Sequence, residues 1–414
     1  MAKIISHIWL WWRTLLQACS RQFRLVLKDA GVMLFFLALP VAYPVVYTLI
    51  YNPEVVREIP VAIVDNSRTA DSRHLVRMID ATEYASVAGY ASSLDEARSW
   101  AMERKVYAVI VIPGDYASRL GRQEQAVVPV YCDMGLMLRY RNLLFSLTDV
   151  TLQLGAELRA QTIDNINGAW LVAGAAEKRV DTQSFILGNP TQGFASFIMP
   201  GLVILILQQS IILGVLMLGG GSDERRRLNR GIDPLAVSGP MTASVIGRVL
   251  CVTFIYAPLT VYILHYVPWM FHLPAYGSPW QYLPLALPLV LSSVLLGMCL
   301  RPFISERESP FLVFVFTSVL FLFLSGLTWP RSSMSPLWQA VSSLLPASWG
   351  MQGFIGISSN NAILSVASES YLRLWILTAV YFVVAVIVEK LCNRRYLCRY
   401  GGIAKSIFEF NTNK

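Results

Sequence analysis

The sequence predicts a polytopic α-helical membrane protein with six transmembrane helices and an α/β extracytoplasmic domain inserted between the first and second of them. Three observations carry this. Of 414 residues, 55% are hydrophobic and only 14% charged, against about 25% charged in an ordinary soluble domain. Six apolar stretches approach the roughly 20 residues that a spanning helix needs: 30–50, 195–218, 243–266, 282–300, 310–328 and 372–388. Between the first two lies a long segment, 51–194, with the alternation of a mixed domain. This composition excludes a disordered chain and an ordinary cytosolic enzyme. The net charge of +8 does not point to nucleic acid, because basic residues accumulate in the cytoplasmic loops of membrane proteins.

Residues 3–28 form an amphipathic helix. Ile5, Ile8, Trp9, Trp12, Leu15, Leu16, Cys19, Phe23 and Val26 share one face, and Lys3, Arg13, Gln17, Arg21, Arg24 and Lys28 fall elsewhere. Apolar residues with tryptophan beside a basic face suit a helix on the inner leaflet. A plain topogenic basic segment is the alternative. The first span carries Pro40 and Pro44, which membrane helices tolerate. Its length and the 29 residues before it argue for a retained span rather than a cleaved signal.

Orientation follows from lysine and arginine in the short loops. Residues 1–29 hold five, the loop 219–242 holds Arg225, Arg226, Arg227 and Arg230, and the tail after 389 holds six. The loop 267–281 holds none, and 329–371 holds Arg331 alone. Both termini are therefore expected in the cytoplasm. The stretch 52–190 has a net charge of −3 and the remainder +11, so the surplus follows membrane orientation.

In the large loop, 61–64 and 106–112 read as buried strands, and 127–131 as a third. Residues 67–80 and 93–104 read as helices, with Ser93 and Glu96 at capping-box spacing. From 136 to 178 the leucine spacing is helical. Asp65 and Asp133 end strands without a histidine or metal spacing around them, and turn roles fit both. The six cysteines include no CxxC pair, so zinc is not expected.

The glycine run 219–221 is read as the exit from the second span. It is followed by a charged stretch, 223–230, and a return near Ala243. No GxxxxGK[ST] occurs anywhere, so the chain shows no phosphate loop of its own. Within the spans, Gln208, Gln209, Ser292 and Ser293 are polar. They could line a pathway or bond neighbouring helices. Fixed charge in the spans is scarce, with Arg248 at one end of the third.

Together these segments resemble the permease subunit of type-2 ABC exporters, in particular members with a long outer domain. Three features carry the resemblance. One is the layout. The second is the loop with Glu224, Arg225, Gly231, Leu235, Val237, Ser238 and Pro240, although Ile232 stands where the family has threonine. The third is the segment Gly326, Pro330, Met334, Pro336, Trp338, Pro346 and Trp349, which is similar to the family's outer re-entrant hairpin, here 329–371. The runs 61–67 and 109–116 resemble the outer domains of drug-efflux-like members.

The resemblance implies a permease without catalytic residues or a cofactor of its own, with ATP and magnesium on a separate ABC ATPase. It also implies a second permease copy or a paralogue, and a bacterial inner membrane. A periplasmic adaptor would be a further partner in a host with two membranes. The expected ATPase contacts are Glu224, Arg225, Arg226, Arg227, Arg230 and Leu235, with Arg301, Glu306 and Arg307 as a second contact. Export of hydrophobic or amphipathic molecules is the leading function. A non-transporting scaffold or receptor, acting through the outer domain, is the alternative. A lipid enzyme would need clustered carboxylates or histidines at the membrane face.

Overall fold

A computed structural model describes all residues except 1, 52–54, 136, 165–187, 190–192, 230–232, 275–276, 305, 361–364, 366 and 413–414. The chain divides into two compact units, one of Met1–Glu54 with Ile186–Lys414 and one of Val55–Phe185.

The first unit is helical. An N-terminal helix α1 (Ala2–Lys28) is followed by α2 (Ala30–Ile50), α7 (Phe194–Leu228), α8 (Met241–Met270) and α9 (Pro279–Cys299). Then come α10 (Ser309–Leu324), the pair α11 (Pro336–Ser343) and α12 (Pro346–Asn360), and α13 (Ser368–Thr412). Among the described residues, α2, α7, α8, α9 and α13 are long and apolar enough to cross a membrane. The expected fifth span, 310–328, is the 16-residue helix α10, short of the usual length because Gly326 ends the helical run.

The helix α7 is the centre of this unit. Of its most apolar window 89% is buried, against 22% for α2 and for α13. The core joins Phe36 of α2, Leu207 and Ile211 of α7, Tyr256 of α8, Leu289 of α9 and Leu374 of α13. Two of the long helices carry a π turn, at Leu34–Ala38 and Tyr262–Tyr266. The first points Phe36 at α7, where a Cβ on Gly214 would overlap its ring.

Two expectations about this unit need correction. The glycine run does not end the second helix, which continues to Leu228. The run is a packing surface: a Cβ on Gly220 would lie 2.4 Å from the carbonyl oxygen of Glu306. The buried face of α1 also differs from the apolar face read above. Thr14, Leu15, Ala18, Gln22 and Val26 are buried, and α1 packs along α8. Ile5, Ile8, Trp9, Trp12, Leu16 and Phe23 stay exposed.

The second unit is α/β, with strands β1 (Ile59–Asp65), β2 (Ala85–Tyr90), β3 (Ala108–Ile112) and β4 (Val130–Cys132) in the order β2-β1-β3-β4. β1 pairs parallel with β2 and β3, and β4 closes the edge antiparallel to β3. The helices α3 (Ala70–Asp80), α5 (Tyr116–Gly121) and α6 (Met137–Asp164) join one apolar cluster with Ile59, Val61 and Ile63. The helix α4 (Leu94–Met102) joins another with Ala62 and Val64. β1 is therefore covered on both faces, which is why it reads as an unbroken apolar run.

The strand β2 was not anticipated, since Ser86 and Gly89 dilute its pattern. The third expected strand is displaced to 130–132 and is the antiparallel edge. The helix expected from 67 begins at Ala70, with Thr69 and Ser72 forming a reciprocal cap. The box expected at Ser93 is half formed: its hydroxyl accepts the Glu96 N–H at 3.2 Å, but the Glu96 carboxylate accepts from Ser92 instead. Asp65 is a turn residue, accepting from the N–H groups of Ser67 and Arg68 and the Ser72 hydroxyl.

Candidate functional site

Several charged residues of the first unit gather at one end of α7 in two neighbouring clusters. The first is an ion-pair chain. Arg301 follows α9 and donates two hydrogen bonds to Asp223 of α7, at 2.6 and 3.3 Å. Its other Nη donates to Glu389 of α13, and Arg248 of α8 donates to the same carboxylate at 2.8 Å. The side chains of Arg301, Asp223 and Glu389 are at most 5% exposed. Four helical elements are thus tied by two cations and two anions. Desolvating such groups costs several kcal/mol per ion unless geometry and hydrogen bonding are good. Here each carboxylate meets a guanidinium directly.

The second cluster centres on Asp233, whose side chain is 1% exposed. Its carboxylate accepts from Ser222 Oγ at 2.8 Å, Arg225 Nε at 3.2 Å, Arg21 Nη2 at 2.9 Å and the Leu235 N–H at 3.0 Å. Burial alone would raise this carboxyl. The Ser222 hydroxyl, the Leu235 N–H, Arg225 and Arg21 outweigh it and hold the group below the usual aspartate value. One residue therefore fastens the segment after α7 to both α7 and α1.

A third contact joins Arg307 to Asp29, whose carboxylate also caps α2 by accepting the Val32 N–H at 3.1 Å. Arg227 lies 3.7 Å from Glu306. Gly220 makes this approach of Ile304 and Glu306 to α7 possible.

The expected contact residues differ in exposure. Glu224, Arg227, Leu235, Glu306 and Arg307 are exposed. Arg225 and Arg226 are half-buried. Arg301 is 3% exposed and occupied by Asp223 and Glu389, so it has no surface to offer a partner; any effect it has on coupling runs through the helices it joins. Arg230 lies outside the described residues.

The polar residues of the spans are buried against their own chain. Gln208 Oε1 accepts the Ala347 N–H at 2.6 Å and so caps α12. Ser292 and Ser293 donate to the carbonyls of Pro288 and Leu289 in their own helix. Gln209 is 7% exposed.

The hairpin segment is a helix–turn–helix. Gly326 has φ +93°, a conformation that side chains resist, and turns the chain out of α10. Pro330 caps a short turn, Arg331–Ser333, and Pro336 and Pro346 open α11 and α12, the position where a missing N–H costs nothing. Trp349 is buried and donates to the Ser343 carbonyl at 2.9 Å, with the Arg331 guanidinium 4.2 Å above its ring. Trp338 is exposed.

Sequence reasoning missed Asp223, Asp233 and Glu389. Asp233 precedes a proline and forms a turn with the N–H two residues on, a local signal that was available. Asp223 and Glu389 carry no local signal: the partners of Glu389 lie 88 and 141 residues away.

Residues 31–387 match the family described as ABC-2 family transporter protein, and the chain belongs to that family. It is a multi-pass membrane protein and the permease subunit of an ABC transporter, which implies an ABC ATPase partner. A comparison with curated proteins gave no match.

Proposed function

We propose that this permease is an exporter that moves hydrophobic or amphipathic small molecules or lipids out of the cytoplasm or the inner leaflet of a bacterial cytoplasmic membrane. Two copies, or this chain with a paralogue, form the pathway. Both termini are cytoplasmic, α10 is the fifth of six crossings despite its length, and Val55–Phe185 lies outside. Arg13, Arg225, Arg227 and the α13 tail then share the cytoplasmic side, in accord with the positive-inside rule.

The observation that carries the mechanism is the placement of exposed Glu224, Arg227, Leu235 and Glu306 beside buried clusters. ATPase subunits press on this surface. Asp233 passes the displacement to α1 and α7, and the Arg301 chain passes it to α8, α9 and α13. Because the clusters are buried and bonded on all sides, the helix ends move as a group rather than one at a time.

Reversing Glu224→Lys and Arg227→Glu tests this, since both are exposed and neither belongs to the Asp233 or Arg301 clusters. The permease should still fold, while ATP hydrolysis by the purified complex and co-purification of the ATPase fall about tenfold. Unchanged hydrolysis and transport would remove this surface from the mechanism.

A further inference from the structure

A groove of about 880 Å³ runs between α1 and the segment 234–238. Among the described residues, four cations line it, Arg13, Arg21, Arg24 and Lys28, and no carboxylate does. Among the described residues, Arg13, Arg24 and Lys28 have no carboxylate partner. Arg13 lies over the Trp9 ring, Arg24 donates to Ser20, and all three are exposed. Arg21 is anchored at one end by Asp233, yet its buried Nε has no acceptor among the described residues. The remaining walls are aliphatic, with Leu10, Leu16, Leu25 and Leu235.

A cationic floor with an unmet donor favours an anion, and guanidinium groups match phosphate oxygens in particular. Aliphatic walls favour a ligand with hydrocarbon attached. The same helix exposes Trp9, Trp12 and Phe23, residues suited to the level of lipid headgroups. We infer that this groove is a binding site for one acidic glycerophospholipid of the inner leaflet, its phosphate between Arg21, Arg24 and Lys28 and its acyl chains against Leu10, Leu16 and Leu25. The inference rests on α1 lying at the membrane surface. It gives the permease a lipid that fixes α1 where the ATPase surface meets the bilayer.

The test is native mass spectrometry of the purified full-length permease, equilibrated in detergent with equal amounts of phosphatidylglycerol and phosphatidylcholine. Wild type should retain phosphatidylglycerol in preference by roughly tenfold or more, as expected at about 1 kcal/mol per basic residue near an anionic headgroup. The variant Arg13→Gln, Arg24→Gln, Lys28→Gln should lose the preference. Because those residues make no ion pair among the described residues, the variant should remain monodisperse. A photoreactive phosphatidylglycerol should label α1 in the wild-type protein, a readout that needs no variant.

Equal retention of both lipids by wild type, an undiminished preference in the variant, or labelling elsewhere would overturn the assignment. So would displacement of the lipid by excess inorganic phosphate, which would make the site one for a free anion. A variant that loses the ATPase but keeps the lipid preference would assign the groove to the ATPase. Lipid retention is read without ATPase present, so it fails or stands separately from the coupling mechanism.

Discussion

Arg301 and Glu389 are 88 residues apart in sequence and form an ion pair with side chains only 4% and 3% exposed. Neither charge could stay there alone. Arg301 is also held by Asp223, and Glu389 also by Arg248, so each member of the chain compensates the burial of the next.

Glu389→Gln removes the anion that Arg248 and Arg301 share. Breaking one side of a buried pair costs about 3–5 kcal/mol, and the thermal midpoint of the purified permease should drop several degrees. Lys390→Gln, one residue further on, should leave the midpoint unchanged. Equal midpoints for Glu389→Gln and wild type would mean that the network carries no stability.

Asp233 gives a pH dependence with a definite sign. Its folded value is depressed, so its contribution is fully present above the unfolded value of ~3.9 and is lost as pH falls through the lower, folded value. The difference in melting midpoint between wild type and Asp233→Asn should stay constant from neutral pH down to about 5 and shrink only below about 4. A difference that grows on acidification would contradict the assignment.

The glycine run separates packing from flexibility. A Cβ on Gly219 would have its nearest neighbour at 3.5 Å, whereas on Gly220 it would lie 2.4 Å from a backbone oxygen. Gly219→Ala should therefore be tolerated. Gly220→Ala should destabilise by about 1–3 kcal/mol, the usual cost of overpacking, read as a lower melting midpoint and weaker ATPase stimulation. Equal behaviour of the two variants would mean that Gly220 is not a packing contact.

Gly326→Ala places a side chain at φ +93° and 3.2 Å from the Arg331 side chain. The strain is about 1–2 kcal/mol. The expected result is a lower melting midpoint with the ATPase still bound, because the contact surface is formed by other segments.

The sequence alone determined the helical membrane class, because uninterrupted apolar runs such as those of α7 and α9 have few other stable homes. It determined the strands β1 and β3 and the two helices between them, though not β2, and the runs of β1 and β3 are apolar because they lie inside the sheet. It also placed prolines and Gly326 at the turns of the 326–349 segment, since backbone restrictions are local. Only the tertiary structure decided which charges act together. Asp223, Arg248, Arg301 and Glu389 look like isolated charges at span ends until four elements converge, and the pairing that makes their burial tolerable is invisible in any one of them. The same holds for Gly220 and for the buried face of α1. Local propensity gives an amphipathic helix and a glycine run, but the neighbour that comes within van der Waals distance decides which side is buried and which glycine cannot change.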